Sequence, residues 1–185
     1  MNQELSKMGM SQDAELVKGA SGIGGNIAFS THYTIECFDS LGALKWVEDF
    51  DNLVVTEGLT DNLDKYFKGA TYTAAHYVGL TDGTPTPGAS DTLASHAGWA
   101  EISAYTGNRQ TLTLGTVTAG SVDNSASKAV FSITGTATVG GAFVCTVNTG
   151  TAGVLYGIGA FTGGDKSVGS GDTLNVTITL TATAA

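Results

Sequence analysis

The sequence predicts a mainly β protein built as a single β-sandwich or jelly-roll-like domain, and three observations lead to this fold class. Only 14% of the residues are charged, and much of the polarity comes from β-branched Thr, which suits the outward positions of a pleated sheet. The chain has 26 Gly but only 2 Pro, which favours tight turns built by Gly, Asn and Asp. Apolar and polar residues alternate in several short segments, as in strands with one buried face.

A chain of 185 residues is long enough for one domain with a sizeable core. We predict that this domain occupies residues 26–185, because strand alternation begins at Asn26. Residues 1–25 lack alternation and end in GASGIGG, a composition typical of a hinge or tether. They are predicted to form an extended N-terminal arm, in which residues 11–18 could make a short helical turn.

The domain is predicted to open with a β-hairpin over residues 26–50. Its first strand places alternate apolar side chains on one side of an extended chain, namely Ile27, Phe29, Tyr33, Ile35 and Cys37. Residues 40–42 (SLG) are predicted to form the turn, and residues 44–50 the returning strand. A second apolar segment, residues 53–55, follows.

One short α-helix is predicted over residues 57–68. Four apolar residues recur there with the spacing of a single helical stripe, which we expect to cover the edge or end of a sheet; they are Leu59, Leu63, Tyr66 and Phe67. Thr56 is predicted to cap the first free amides, and Gly69 to end the helix in a left-handed conformation. Acidic residues near the start and lysines near the end complement the helix dipole.

Further strands are predicted in the rest of the chain. Residues 71–83 have an uninterrupted middle, which suits a strand buried on both faces, and residues 81–91 (TDGTPTPGASD) form a loop. Residues 101–106 and 109–118 are predicted to pair as a hairpin that turns at Gly107 and Asn108. The remaining predicted strands are residues 129–133, 143–147, 154–161 and 174–180, with a turn at Gly140 and Gly141.

The net charge of -9 argues against a nucleic acid partner. An acidic chain repels a phosphate backbone, whose binding needs clustered Lys and Arg, so we expect no nucleic acid partner. The first residues lack the apolar core of a secretory signal, and no run approaches about 18 apolar residues. We therefore expect a protein made in the cytoplasm that does not enter a membrane.

The two cysteines, Cys37 and Cys145, lie on separate predicted strands. A disulfide between them is geometrically possible. Because no secretory signal is recognised, we interpret both as reduced, buried thiols.

Motifs for bound groups are incomplete. In GASGIGG, Gly25 and Asn26 stand where a phosphate-binding loop needs Lys and then Ser or Thr, and Ile27 replaces the third glycine of a dinucleotide fingerprint.

Candidate metal or triad residues lack diagnostic spacing; these are His32, His76 and His96 with Asp91 or Glu101. Candidate calcium ligands lack the DxDxDG pattern and are interpreted as a solvated face; these are Glu48, Asp49, Asp51, Glu57 and Asp61.

Five aromatic residues could form a platform for carbohydrate, or could pack in the core and at sheet edges. They are Trp46, Tyr72, Tyr77, Trp99 and Tyr105. Core packing is the interpretation we prefer. We therefore predict a non-enzymatic protein with no catalytic, cofactor-binding or metal-binding residues.

Residues 45–80 resemble a segment of virion structural proteins of tailed bacteriophages, of the small capsid decoration (cement) type. The similar features are a Gly and Trp hairpin, an Asn-Leu-Val-Val segment, a Gly-Leu helix ending in Tyr-Phe, and a Tyr-Val-Gly-Leu strand. In this chain they correspond to Gly42, Trp46, residues 52–55, Gly58, Leu59, Tyr66, Phe67 and residues 73–80. Residues 95–106 are similar to the continuation of that family.

The resemblance implies a protein that binds the exterior of a phage capsid and stabilises the shell, with no catalytic residue to carry over. Its implied partners are the major capsid protein and neighbouring copies of itself, with a possible homo-oligomer on the virion. The arm, residues 1–25, is the first candidate for capsid contact and the Trp46 hairpin is the second.

Three alternatives stay open at this point. A tail- or fibre-associated adhesin would bind host glycan through residues 82–91, with Trp99 and Tyr105 exposed nearby. A small hydrolase or deacetylase would gather His and carboxylate groups in a deep pocket. A tail tube subunit would join sheet edges into rings.

Overall fold

The computed structural model describes residues 27–72 and 75–184, and within them the mainly β fold is confirmed. The predicted arm, residues 1–25, lies outside the described residues. The elements are β1 (Ile27–Phe38), β2 (Leu44–Asp51), β3 (Leu53–Val54), α1 (Thr56–Tyr66), β4 (His76–Asp82), β5 (Gln110–Leu112), β6 (Ser121–Asp123), β7 (Ala129–Ser132), β8 (Ala137–Cys145), β9 (Leu155–Ala160), β10 (Lys166–Val168) and β11 (Thr173–Ala184), with a 3₁₀ turn at Ser125–Ser127.

The chain divides into two compact units, residues 29–182 and a small unit of residues 1–28 with 183–185. Of the small unit, the structure describes only the first residues of β1 and the last of β11. No helix in the described part of the chain is long and apolar enough to cross a membrane.

The strands form two antiparallel sheets in a β-sandwich-like arrangement. Sheet one has the order β2-β1-β11-β6, and β7 also pairs with β11. Sheet two has the order β3-β9-β8-β4-β5, and β10 also pairs with β8. The predicted hairpin is confirmed, because β1 and β2 pair from His32 with Asp51 to Phe38 with Leu44. After β2 the chain passes through Asn52 into β3, which pairs with β9, so it changes sheets at that residue.

Two apolar cores result. The main core lies between the sheets and is built by alternate residues of strands with one buried face; it includes Tyr33, Ile35, Leu80, Phe131, Leu174 and Ile178. The second core lies on the other face of sheet two, since its members alternate with main-core residues along β8 and β9; it comprises Val55, Leu93, Phe143, Cys145, Leu155 and Ile158. Sheet two is therefore buried on both faces, as predicted for the strand that is now β4.

The predicted turn at Gly140 and Gly141 is wrong, because both residues lie inside the continuous strand β8. A Cβ on Gly140 would lie 2.0 Å from backbone atoms of Gly83 and Thr84, and one on Gly141 would lie 2.2 Å from the carbonyl oxygen of Gly159. The glycines are needed for close backbone approach and not for a turn.

The predicted hairpin over residues 101–118 is also wrong. Glu101 bridges to Thr81 in sheet two, whereas Tyr105 bridges to Ile133 just beyond β7. Residues 101–105 thus cross between the sheets and do not pair with β5, whose partner is β4. Gly107 nevertheless adopts the positive φ, +82°, that the turn prediction required.

We expect Gly140→Ala to lower the free energy of unfolding by about 3 kcal/mol, because the added methyl group meets backbone atoms that cannot move aside easily. The control is Gly169→Ala, where a Cβ would have no atom within 4 Å, so the expected change is below about 0.5 kcal/mol. Urea unfolding measures both. Equal stability of the two variants would contradict the close approach at β8.

Candidate functional site and interaction surfaces

The structure places His32 on the exposed side of β1, next to two carboxylates of β2. Its Nδ1 lies 2.9 Å from Asp51 Oδ1, and its Nε2 lies 3.6 Å from Asp49 Oδ1. Within residues 27–72 and 75–184, no group of three or more His, Cys, Asp and Glu side chains is arranged to hold a metal ion.

The other two histidines lie elsewhere and pack against aromatic rings. His76 meets the Tyr156 ring edge-on, and burial lowers the pKa of His76. His96 stacks on Trp99 with ring centroids 3.6 Å apart. The predicted partner Asp91 accepts a hydrogen bond from Trp99 Nε1 and thereby holds the loop. The structure does not bring the histidines together.

The five acidic residues singled out from the sequence are dispersed. Glu48 is buried and pairs with Lys166 at 2.8 Å, so its interpretation as part of a solvated face is wrong. Its other oxygen accepts the N–H of Gly163 at 3.1 Å. Asp49 and Asp51 are exposed, as expected.

An open groove of about 480 Å³ lies beside α1 and contains three carboxylates. Glu57 accepts hydrogen bonds from two backbone N–H groups. Asp61 pairs with Lys65 at 2.8 Å. Asp64 pairs with Lys68 at 2.9 Å. Each carboxylate thus has a partner within the chain.

The aromatic candidates mostly pack inward. Tyr105 is buried edge-on against Phe131. Trp99 is half-buried, and its ring lies 4.9 Å from that of Phe143. Trp46 and Tyr77 are also half-buried, whereas Tyr72 is exposed. Trp99 and Tyr105 therefore do not form the exposed cluster expected of a glycan-binding adhesin.

Both cysteines are free and buried, one in each sheet. Burial raises the pKa of Cys37 to about 11, and burial also raises the pKa of Cys145. Thiolate is the reactive form of cysteine, so both thiols are poorly reactive near neutral pH.

Arg109 is a buried residue whose role the sequence pattern did not reveal. Its Nε and Nη2 donate to the Glu101 carboxylate at 2.9 and 2.7 Å. Its Nη1 donates to the carbonyl oxygens of Val147 and Gly150, and its guanidinium lies 5.2 Å from the centre of the Phe143 ring. The side chain thus ties the crossing segment to the end of β8. A lone Arg in a polar stretch carries no signal that it is buried.

The hairpin surface is the first candidate interaction surface, and we define it as Leu41, Leu44 and Val47. All three are exposed, Leu41 by 92%. The turn beneath them is fixed because Asp39 Oδ1 accepts the N–H groups of Leu41 and Ala43, each at 2.9 Å. The hairpin therefore presents apolar side chains on an ordered turn.

An ion pair attaches the start of β2, beside the hairpin turn, to the loop before β11. Lys45 Nζ donates to Asp172 Oδ2 at 2.5 Å, and the Asp172 side chain is almost fully buried. Burial by itself would raise the pKa of Asp172, but the hydrogen bonds from Lys45 and from the Gly169 N–H lower it. Because the pKa is lowered on folding, this stabilisation is present above the unfolded value of about 3.9 and is lost as the pH falls below it.

The helix surface is the second candidate, defined as Leu59, Leu63, Tyr66 and Phe67. The sequence predicts that this stripe covers a sheet, and that prediction is wrong, because all four side chains are exposed. Tyr66 is 84% exposed and Phe67 68%, and their rings meet edge-on with centroids 4.9 Å apart. The helix turns its apolar side to solvent.

The opposite, polar face of α1 packs against β9. Gly58 is buried so close to Tyr156 that a Cβ would lie 2.5 Å from its carbonyl oxygen. One turn later, Asn62 Nδ2 donates to the Tyr156 hydroxyl at 3.1 Å. A small residue and specific hydrogen bonds therefore set the orientation of the helix, and apolar burial does not.

The start of α1 differs from the predicted cap. Thr56 is the first helical residue and Val55 is the N-cap, with no side-chain hydrogen bond. Glu57 instead accepts the N–H groups of Leu155 at 2.6 Å and Leu93 at 3.2 Å, which joins the helix to β9 and to the loop. The predicted left-handed residue is confirmed, because Gly69 has φ +71°.

Comparison with models of known protein families finds no match, and a search of curated proteins finds none either.

We expect Arg109→Ala to lower the free energy of unfolding by about 3 kcal/mol, because it leaves the Glu101 carboxylate and two carbonyl oxygens without their donor. The control is Lys128→Ala, which removes a more exposed ion pair with Glu36 and should cost less than about 1 kcal/mol. Urea unfolding gives both values. A loss for Arg109→Ala no larger than the control's would show that the network is dispensable.

We expect Gly58→Ala to destabilise the protein by about 2 kcal/mol, although Ala is the better helix former by about 1 kcal/mol. The matched control is Thr60→Ala on the exposed side of α1, with an expected change below about 0.5 kcal/mol. Thermal unfolding compares the two. A stabilised Gly58→Ala variant would mean that α1 does not depend on contact with Tyr156.

Proposed function

We propose that this protein is a non-enzymatic structural protein of a tailed-phage virion, which binds the exterior of the capsid and stabilises it as a decoration or cement protein. The observation that carries the proposal is the hairpin surface, an exposed apolar patch held on an ordered turn. It adjoins Trp46, within the region whose sequence resembles decoration proteins. Exposed apolar patches of this kind mark contacts with other proteins.

The start of β2, beside the turn, supports such a role, because a contact surface loses less entropy on binding when it is already ordered. Trp46 packs edge-on against Phe161, with ring centroids 5.9 Å apart. The ion pair between the exposed Lys45 and the buried Asp172 carboxylate lies beside it. The hairpin can therefore meet a partner without first adopting a new conformation.

The proposed mechanism is mechanical. Each copy makes modest contacts with neighbouring capsid subunits, and several such contacts on one rigid body give firm attachment. A protein that binds only the mature lattice stabilises that lattice by mass action. The net charge of -9 is compatible with the outside of the shell and unfavourable beside packaged DNA.

The adhesin is the less supported alternative. An exposed cluster of Trp99 and Tyr105 beside residues 82–91 would favour it, whereas Tyr105 is buried and Trp99 packs on Phe143. The structure thus removes the feature that would have favoured glycan binding over capsid binding.

The direct test is co-sedimentation of the purified protein with heads of the phage that encodes it. We expect the intact protein to co-sediment, and the double variant Leu41→Glu with Leu44→Glu to bind at least tenfold less, because charge at the contact opposes burial. The control is Val117→Glu, which places the same charge at another exposed apolar residue and should bind normally.

Three results would contradict the proposal. The first is absence of binding to heads, and the second is equal binding by the hairpin variant and the control. The third is immunogold labelling of tails in place of heads, which would favour the adhesin.

Deletion of residues 1–25 tests the other predicted contact, because a truncated form that binds as well as the intact protein removes the arm from the mechanism.

A further inference from the structure

Three polar side chains with buried oxygen atoms lie at the point where the chain passes from sheet one to sheet two. They are Thr31 and Tyr33 on β1, and Asn52, which follows β2. Thr31 is 1% exposed and Tyr33 is fully buried. A polar group taken out of water lowers stability unless it finds a hydrogen-bond partner, so the partners of these oxygen atoms need to be identified.

The pairing of β1 with β2 brings the three side chains to one face of sheet one. The ladder continues one residue beyond β2, because the Asn52 N–H donates to the Thr31 carbonyl oxygen at 3.0 Å. Directly opposite residues of an antiparallel pair place their side chains on the same face, with Cβ atoms about 5 Å apart. Thr31 and Tyr33 are two residues apart along β1, so they share this face. It is the core face, since Tyr33 belongs to the main core.

Two of the oxygen atoms have no hydrogen-bond partner in the described part of the chain. They are Thr31 Oγ1 and Asn52 Oδ1, and both are shielded from solvent. Asn52 Nδ2 donates to the Tyr33 hydroxyl at 3.4 Å. In the alternative amide orientation Oδ1 accepts the hydroxyl hydrogen and Nδ2 is left without an acceptor. One atom of the amide therefore lacks a partner in either case.

Packing prevents these side chains from turning towards other partners. The Tyr33 ring stacks on Phe50, with ring centroids 5.0 Å apart and planes 6° from parallel. The Asn52 amide lies so close to β9 that a Cβ at Gly157 would be 2.2 Å from Nδ2. Thr31 is β-branched, which restricts its rotamers. The unpartnered atoms are thus held in place and need a partner small enough to reach them.

We infer that one water molecule is bound between Thr31, Tyr33 and Asn52, as a structural ligand at the point where the chain changes sheets. The ligand must donate to the Asn52 oxygen and accept from the Tyr33 hydroxyl, while Thr31 Oγ1 can do either. Water has both functions. Buried waters in proteins make about three hydrogen bonds, which matches the number of groups here. The inference goes beyond capsid binding and does not depend on it.

An ion is less suited to this site than water. Donor and acceptor groups are mixed, and none of the three side chains is charged. Burial raises the pKa of Tyr33, so its hydroxyl keeps its proton at neutral pH. A neutral ligand that is both donor and acceptor satisfies the site without bringing an unpaired charge into the core.

A route for water lies at the start of β1. The inward-facing position before Thr31 is Phe29, whose side chain is exposed. Phe29 lines an open cavity of about 240 Å³ together with Tyr156 and Leu180. Solvent thus reaches the neighbouring inward-facing position on β1, so local opening at this end is sufficient for the water to enter and leave.

The direct test is a crystal structure of the intact chain at a resolution that shows ordered water. We expect electron density for one water within about 2.5–3.2 Å of Thr31 Oγ1 and of an atom of the Asn52 amide. Two results would overturn the inference. One is a direct hydrogen bond between the Thr31 and Asn52 side chains, and the other is well-defined side chains with no density between them.

The second test uses the sign of a stability change. Thr31→Val keeps the shape of the side chain and removes its hydroxyl. If the hydroxyl binds the water, this change should lower the melting temperature by about 3 °C. If the hydroxyl has no partner, the melting temperature should rise, because an unpaired buried polar group is removed. A rise would overturn the inference.

The matched control is Thr81→Val, which makes the same substitution at a fully buried residue of β4. Thr81 Oγ1 donates to the Gly83 carbonyl oxygen at 3.0 Å. Its removal should lower the melting temperature whatever occupies the site beside Thr31, because the acceptor belongs to the protein. Thr31→Val is expected to change stability in the same direction as this control.

The third test shows whether Thr31 and Tyr33 share one ligand. Tyr33→Phe also keeps the shape of its side chain and should lower the melting temperature by itself. If one water joins the two hydroxyls, both variants disturb the same ligand, so the double variant should lose about 2 °C less than the sum of the single losses. Additive losses would show that no ligand is shared and would overturn the inference.

Discussion

The burial of sheet two on both faces is the constraint on which the rest of the structure depends. Strands β4, β8 and β9 must accept the main core on one side and a layer of loop and helix on the other. Backbones approach one another too closely for side chains at Gly140, Gly141 and Gly159. Because the loop after β4 is thus held against β8, Leu93 and Trp99 reach the second core and seal it from water.

The same layer decides how α1 is oriented. Glu57 accepts N–H groups from β9 and from the loop, so its carboxylate must face the sheet and cannot lie in solvent. Gly58 then gives the helix a close approach to Tyr156, and Asn62 adds a hydrogen bond one turn later. Rotating the helix to bury its leucines would break these contacts and would leave buried polar groups unsatisfied, a cost of about 1–3 kcal/mol for each group. The apolar stripe faces outward because the hydrogen bonds of Glu57 and Asn62 fix which side of the helix meets the sheet.

Much of the fold could be predicted from sequence, and the failures have identifiable causes. The alternation in β1, β2, β7 and β11 predicted strands correctly because those strands bury one face. The helix end at Gly69 was also correct, because few residues other than Gly adopt a positive φ. The predicted turn at Gly140 and Gly141 was wrong because glycine is favoured both in turns and where two backbones lie close together.

The candidate surfaces were less predictable. The spacing of Leu59 and Leu63 defines a stripe, but periodicity cannot tell which side of a helix meets the protein. The hydrogen bonds of Arg109 to Val147 and Gly150 and the contact of Gly58 with Tyr156 depend on neighbours far along the chain, for which local sequence holds no signal. The outward stripe could be recognised only after its polar contacts had been located.

Exposed apolar surface favours association of this protein with other chains, whereas its high net charge opposes association. The hairpin surface and the helix surface would cause non-specific aggregation if the remaining surface were neutral, whereas a charge of -9 keeps copies apart except where apolar faces can meet directly. Salt screens the repulsion between chains over about 10 Å at 0.1 M and has little effect on apolar burial. Contact through an apolar face should therefore persist, or strengthen, as ionic strength rises, whereas contact by surface ion pairs alone would weaken. On the proposed function, the balance between these two terms opposes non-specific association of the free chain and leaves its apolar faces available for specific contact.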